Sequence, residues 1–263
     1  MSVSAFVPAI LEEPGREAIR QATLNLAEAL AVSEEFQAFL QTAQAVHGDA
    51  DVHRLLVAIR QGRTRYDQGE APSLQSQVEA LPVMRAYRRA EQGVRFLFSA
   101  VVQEISRSAG VDFLEHVHQE MNACGMPVHV VSDEVINLPE TLSEPYAGLA
   151  RQLGEALRNS PEVRAYLAAR QAVREDAALA DLQREVEEME ESFNARRASG
   201  FYPAGGELEL YAEKQAQLRQ HPLLVAEEEA RAQVMNLFSA VHTLLSNSLG
   251  ILFSELAKKP AMF

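Results

Sequence analysis

The sequence predicts an all-α protein made of two tandem copies of one helical module. Three observations lead to this prediction. Apolar residues recur at three- and four-residue spacing in both halves of the chain, and an internal repeat relates the two halves. In neither copy do apolar and polar residues alternate over the length of a β-strand. Gly and Pro number only 13 and 11 among 263 residues, which favours long uninterrupted helices.

The internal repeat is visible by direct comparison of the two halves. Leu26–Leu30 returns 127 residues later as Leu153–Leu157, with one Ala replaced by Gly. Further along the offset becomes 140, and Leu97–Val101 recurs unchanged as Leu237–Val241. The second copy therefore holds 13 extra residues, and we predict a turn-rich loop around 200–206 at the insertion.

Residues suited to helix ends occur at matching positions of the two copies. The predicted N-caps are Ser33, Ser160, Asp49 and Asp176. The last helix of each copy is predicted to start near Pro82 or Pro222 and to end at Gly110 or Gly250, where a left-handed C-cap favours Gly. Each module is thus an antiparallel helical hairpin or bundle.

The last helix of each copy carries an apolar stripe wide enough to pack against another helix. We predict that the two stripes meet, and that the modules form a pseudo-two-fold dimer within one chain. Covalent linkage supports such pairing because it raises the effective concentration of one module near the other. Six residues are predicted to form the inter-module packing: Leu97, Phe98, Val101, Leu237, Phe238 and Val241.

The repeat predicts five segments along the chain. They are an N-terminal extension (1–25), the first module (26–113), an acidic linker (114–145), the second module (146–257) and a C-terminal tail (258–263). The linker carries six carboxylates and neither Lys nor Arg, which is almost half of the chain's net charge of -13. We expect it to drape over the bundle or to contain a short helix, because long structureless loops are uncommon in compact domains.

The overall charge and the apolar content limit the classes of partner. An acidic surface repels phosphates, so we expect no direct nucleic-acid binding and no binding to anionic membranes. The apolar start at 3–11 has no basic residue and contains Pro8, which makes a poor signal peptide, and no stretch approaches the roughly 20 apolar residues of a membrane span. We expect a cytoplasmic protein.

No motif for catalysis or for a cofactor is recognisable, so no catalytic, cofactor-binding or metal-ligating residue is assigned. The zinc-competent side chains crowded near the linker, His116, His118, Cys124 and His129, lack the paired spacing of structural zinc sites. The acidic run 185–191 is interpreted as a solvated helix face. Phe98/Phe238 and Phe113/Phe253 recur at the same register, which indicates core or inter-copy packing rather than a ligand pocket.

Each copy resembles the YlbF/YmcA family of small helical bacterial proteins. The resemblance rests on a Leu-Ala-Glu-Ala-Leu-like helix, a Ser-x-Glu start, an Asp before the next helix and a Pro-led opening of the last helix. In the first copy these are Leu26–Leu30, Ser33–Phe36, Asp49 and Leu81–Tyr87. In the second they are Leu153–Leu157, Ser160–Val163, Asp176 and 221–226. The similar regions, 26–113 and 149–253, cover over two thirds of the chain.

The resemblance implies a non-enzymatic regulatory adaptor that acts through protein–protein contacts. Known members assemble with partner proteins, associate with the ribonuclease Y machinery and influence competence, sporulation and biofilm formation. Some members are linked to an iron–sulfur cluster through several cysteines, whereas this chain has Cys124 alone, so no cofactor is expected. The alternative is a helical bundle that binds a metal or a small ligand. Further oligomerisation is left open.

Overall fold

A computed structural model describes residues 7–64, 71–114 and 142–257, and this part of the chain is helical and contains no β-strand. The all-α fold class is confirmed. After a 3-10 helix at Ala9–Leu11, the helices of the first half are α1 (Glu17–Ala31), α2 (Glu34–Gly48), α3 (Ala50–Thr64), α4 (Ala71–Ala80) and α5 (Pro82–Ala109). Those of the second half are α6 (Tyr146–Arg158), α7 (Pro161–Glu175), α8 (Ala177–Ala198), α9 (Gly205–Arg219), α10 (Pro222–Leu249) and α11 (Phe253–Ala257).

The predicted N-caps are confirmed. The side chains of Ser33 and Ser160 accept hydrogen bonds from the backbone N–H groups three residues on, at 3.2 and 3.3 Å. Asp49 Oδ1 accepts from two backbone N–H groups at 2.9 Å, and Asp176 Oδ1 accepts from Leu179 N at 2.7 Å. These bonds satisfy donors that have no partner inside the helix and fix where α2, α3, α7 and α8 begin.

The predicted C-caps of the long helices are also confirmed. Gly110 and Gly250 have φ of 74° and 70°, in the left-handed region that favours glycine. Four residues before each glycine, a serine side chain accepts a hydrogen bond from a backbone N–H group beyond the helix end. Ser106 Oγ accepts from Phe113 N at 3.0 Å, and Ser246 Oγ accepts from Phe253 N at 3.1 Å. The offset of 140 residues is preserved in this side-chain contact.

The helices group into two compact units whose limits differ from those of the repeat. The first unit combines Met1–Ala156 with Ser239–Phe263, and the second is Leu157–Phe238. The first unit therefore contains α1–α5, most of α6, the end of α10 and α11. Its core is formed by apolar residues at helical spacing on α1 and α5, including Ile19, Leu26, Leu30, Val94, Phe98 and Ile105.

The second unit contains α7, α8, α9 and the first part of α10. Its buried residues include Val163, Leu179, Val186 and Val234. Helix α9 buries no residue, and packs against α8 as the second arm of a helical hairpin. The loop of this hairpin is shorter than the sequence predicted, because Gly205 and Gly206 lie in the first turn of α9 rather than in the loop.

Helix α1 begins at Glu17, so the predicted boundary between the extension and the first module, at residue 26, falls inside a helix. Leu11 and Ile19, which precede this boundary, are buried. The segment limits predicted from the repeat stay a prediction. Residues 115–141 of the predicted linker lie outside the described residues.

Candidate interaction surfaces

Helix α5 carries the contacts that join the first copy to later parts of the chain. Its apolar side chains follow the three- and four-residue spacing of a helix, and Val94, Phe98, Val101 and Ile105 are fully buried. The ring of Phe98 lies between two aromatic partners. Its centroid is 5.9 Å from that of Phe36 on α2 and 4.9 Å from that of Phe253. Since Phe253 belongs to the second copy, this stacking is an inter-copy contact within the first unit.

Polar contacts hold the rest of α11 on the same helix. Ser99 Oγ donates to the carbonyl oxygen of Ala257 at 2.9 Å, and Arg95 Nη1 donates to the carbonyl oxygen of Glu255 at 2.8 Å. These bonds satisfy carbonyl groups at the end of α11, which a helix this short leaves without internal partners. We call residues 253–257 the C-terminal segment. It belongs to the second copy by sequence and to the first unit by packing.

The other end of the C-terminal segment is held by a buried imidazole on α10. His242 Nε2 accepts a hydrogen bond from Ser254 N at 3.2 Å and lies 3.4 Å from Ser246 Oγ. Because Nε2 accepts, the ring is the tautomer that carries its proton on Nδ1. The residue 140 positions earlier is Val102, so only the second copy has this contact. Sequence reasoning missed it, although the lone His within an apolar helix was a signal.

Helix α6 approaches α5 at a glycine. A Cβ atom built on Gly154 would lie 2.5 Å from Ser108 Cβ and 2.7 Å from the carbonyl oxygen of Ile105. Only a residue without a side chain permits this distance between the two helices. The equivalent residue of the first copy is Ala27, so the glycine is specific to the second copy.

An ion-pair group lies beside this close approach. Glu104 on α5 binds Arg107 at 2.6 Å and Arg151 of α6 at 3.3 Å. The hydrogen bond from Arg107, with support from Arg151, holds the pKa of the Glu104 carboxyl below its ordinary value, against the opposing effect of burial. The group thus favours the charged carboxylate and links the last helix of one copy to the first helix of the other.

The six residues predicted to form the inter-module packing are all buried: Leu97, Phe98, Val101, Leu237, Phe238 and Val241. Leu97, Phe98, Val101 and Val241 lie in the first unit, and Leu237 and Phe238 lie in the second. Their mutual packing stays a prediction. The inter-copy contacts described above are different ones. They join Phe98 to Phe253 and Glu104 to Arg151, and they bring α6 close to α5 at Gly154.

The α8–α9 hairpin is held together mainly by polar side chains. Arg196 binds the Glu207 carboxylate with bonds of 2.8 and 2.9 Å, and Lys214 pairs with Glu185. Phe193 packs edge-on against Tyr211, with centroids 5.5 Å apart. The interior of the hairpin is thus narrow and amphipathic, and an open groove of about 410 Å³ runs along it, lined by Met189, Phe193 and Leu210 among others.

The ionisable groups of this hairpin respond to one another. The backbone N–H of Ala204 and the Arg196 guanidinium both hydrogen-bond Glu207 and lower the pKa of its carboxyl. The Glu190 carboxylate accepts from the Tyr211 hydroxyl, which raises the pKa of that phenol. In the acidic run, Glu187, Glu188 and Glu191 are exposed. These interactions fix the ends of the hairpin.

The zinc-competent residues near the linker, His116, His118, Cys124 and His129, lie outside the described residues. Within the described ranges, no group of three or more His, Cys, Asp or Glu side chains could hold a metal ion. The same ranges contain no helix that is both long enough and apolar enough to cross a bilayer.

A comparison with known protein families shows the family to which the chain belongs. The sequence model of the family described as "Control of competence regulator ComK, YlbF/YmcA" matches residues 19–108 and residues 148–250. The chain belongs to the YlbF/YmcA family. The resemblance found in the sequence is confirmed, and the two YlbF/YmcA segments agree with the predicted tandem modules. The chain is accordingly a member of a family of regulators. No curated protein and no solved structure matches it.

The two YlbF/YmcA segments place the described contacts. The first segment includes α5 with Phe98 and Glu104, and the second includes Arg151 and Gly154 on α6. The insertion that lengthens the α8–α9 hairpin lies inside the second segment, at the site where the repeat changes offset from 127 to 140. The C-terminal segment begins three residues beyond the second match.

Proposed function

We propose that this chain is a non-enzymatic regulatory adaptor of the cytoplasm that acts by binding other proteins. The observation that carries the proposal is the match of both halves to a family of competence regulators. The described contacts are consistent with it, since Ser33 caps a helix, and Ser99 and Glu104 join segments of the chain. As the family resemblance implies, its partners belong to a ribonuclease-associated assembly that controls RNA processing and development.

The proposal includes a pseudo-dimer of the two modules, 26–113 and 146–257, within one chain. The extension (1–25), the linker (114–145) and the tail (258–263) flank or connect them. Support comes from the inter-copy contacts of α5, namely stacking of Phe98 on Phe253 and the ion pair between Glu104 and Arg151. A chain that already satisfies its own pairing surface is free to present other surfaces to partners.

Affinity purification of the chain from its native host, tagged at its chromosomal locus and chemically cross-linked before lysis, tests this function. We expect ribonucleases or other family members to be enriched over a host that carries the tag alone. Recovery of the chain without any enriched protein would count against the adaptor function. Elemental analysis of untagged protein is the second arm, since stoichiometric zinc, iron or manganese would favour a metal-binding bundle instead.

A further inference from the structure

The end of the α8–α9 hairpin exposes apolar side chains that the first copy does not have. Phe201 and Tyr202 in the loop are 70% and 81% exposed, and Leu208, one turn into α9, is 48% exposed. All three lie within the stretch that contains the 13 residues added to the second copy. Contiguous exposed apolar surface is uncommon on proteins that have no partner for it. The insertion has therefore added surface without adding core, because α9 buries no residue.

The contacts of α9 with α8 show which of its faces remains free. Residues Glu207, Tyr211, Lys214 and Gln215 bind side chains of α8 and define the inner face. At about 100° per residue, positions 209, 212, 213 and 216 point the opposite way. Ala212 and Ala216 lie on this side, and Leu208, four residues before Ala212, lies at its border with the inner face. Glu209 and Glu213 form an acidic row next to these apolar residues.

The charge of the hairpin indicates which kind of partner would complement this face. Between Asp181 and Arg219 there are nine carboxylates and five cationic side chains. Arg184, Arg196 and Lys214 are paired with carboxylates of the hairpin itself, whereas within the described residues neither Glu209 nor Glu213 forms an ion pair. An apolar row beside an acidic row complements a helix that carries an apolar row beside a basic one.

We infer that the loop aromatics and the outer face of α9 bind a cationic amphipathic helix of a partner protein. We call this surface, formed by Phe201, Tyr202, Leu208, Glu209, Ala212 and Glu213, the α9 face. The inference rests on the proposed adaptor function and names the chemistry of one partner. Nucleic acid and anionic membranes are repelled by the same carboxylates. A second copy of this chain is disfavoured because two-fold pairing would place the acidic row against itself.

The test uses the full-length chain and a fluorescein-labelled synthetic peptide of about 18 residues, with Leu on one helical face and Lys on the flanks. A scrambled peptide of identical composition has no apolar face and serves as the control ligand. Measured by fluorescence anisotropy at physiological salt, the amphipathic peptide is expected to bind about tenfold more tightly than the scrambled peptide. Equal affinity for the two peptides would mean general charge attraction and would overturn the inference.

Variants of the chain locate the binding surface. Glu209→Lys with Glu213→Lys is expected to weaken binding at least about tenfold, and Phe201→Ser with Tyr202→Ser about threefold or more. The matched control is Glu187→Lys with Glu191→Lys, which makes the same change of charge on the side of α8 that faces away from α9. We expect it to change the affinity less than about threefold, since the new charges lie on the opposite side of the hairpin and are screened by solvent and salt. Equal losses in both double variants would contradict the assignment.

The remaining ligands are tested with the same chain. Tight binding of a single-stranded RNA or of phosphatidylglycerol vesicles, or self-association abolished by the α9-face variants in light scattering, would overturn the inference. The adaptor function is judged separately. If cross-linked partners are recovered equally with wild-type chain and with the α9-face variants, the adaptor function stands and the α9 face is not its binding surface.

Discussion

Single residues fix the distance between the helices of the first unit. Gly154 is the clearest example, because the backbone of α5 occupies the space that a side chain at this position would need. Its neighbours include the carbonyl oxygen of Ile105, which cannot rotate away as the end of a flexible side chain can. Helix α6 must therefore move as a whole to accept any larger residue, and that movement disturbs the buried contacts along it.

We predict that Gly154→Ala destabilises the protein by about 1–3 kcal/mol, since the methyl group overpacks a close helix crossing. The matched control is Gly93→Ala in α5, where the nearest atom to the new methyl would be Glu35 Cγ at 3.9 Å. This control should stabilise the protein by up to about 1 kcal/mol, because Ala favours helix more than Gly. Urea unfolding followed by circular dichroism measures both values. Equal effects of the two substitutions would contradict the described crossing.

The Glu104 carboxyl predicts a pH dependence at the residue scale. Because its folded-state pKa is lowered, the interaction stabilises the protein above the unfolded-state pKa of about 4.3 and is lost as the pH falls through the lower, folded-state value. Glu104→Gln should therefore cost about 1 kcal/mol at pH 7, discounted for the exposure of both arginines, and this cost should shrink as the pH falls below about 4. Urea unfolding of both proteins across this range gives the difference, and a constant gap would refute the assignment.

At the scale of helices, the sequence predicted where helices begin and end better than it predicted which helices contact each other. Ser33 and Asp49 could be recognised as caps because capping depends on side chains within three residues of each other. The start of α9 was missed, because Gly205 and Gly206 resemble a turn. Glu207 offsets their low helix propensity by accepting from Ala204 N at 2.8 Å and by binding Arg196, eleven residues away. The second of these contacts has no local signature.

For the candidate surfaces too, local patterns were predictable from the sequence and long-range contacts were not. The apolar stripe of α5 was predictable from its spacing, and the burial of Phe98 and Val101 agrees with it. The partner of Phe98 is Phe253, which is 155 residues distant in the chain, and no pattern in the sequence pairs them. The replacement of Ala27 by Gly154 was visible as a mismatch in the repeat. The structure gives the reason for it, because α5 lies too close to α6 for a side chain at this position.

The C-terminal segment yields a prediction at the scale of elements. Phe253→Ala should cost about 3–5 kcal/mol, because the ring is fully buried and stacks on Phe98. Phe201→Ala is the control, since that ring is 70% exposed and its removal should change the stability by less than about 0.5 kcal/mol. The free energies of unfolding decide the question, and similar costs for both would show that the C-terminal segment is not bound as described.

For the whole molecule, the proposed pseudo-dimer predicts a cross-link within one chain. In a Cys124→Ser background, Val101→Cys and Val241→Cys should form a disulfide when the protein is oxidised, because both buried positions belong to the stripes proposed to meet. The cross-linked product should have the mass of a single chain. A product of twice that mass, with no intramolecular form, would show that pairing occurs between chains, and Leu56→Cys with Phe201→Cys provides exposed control positions.

The first unit combines residues from both ends of the chain, and this affects the order in which the protein folds during its synthesis. Its stacking residue Phe253 is synthesised 155 residues after Phe98, and after every residue of the second unit. Domains usually fold in the order of their synthesis, at about 5–20 residues per second. Here the bundle that is begun first must wait some seconds for the residues that complete it, with the aromatic surface of α5 uncovered in the meantime.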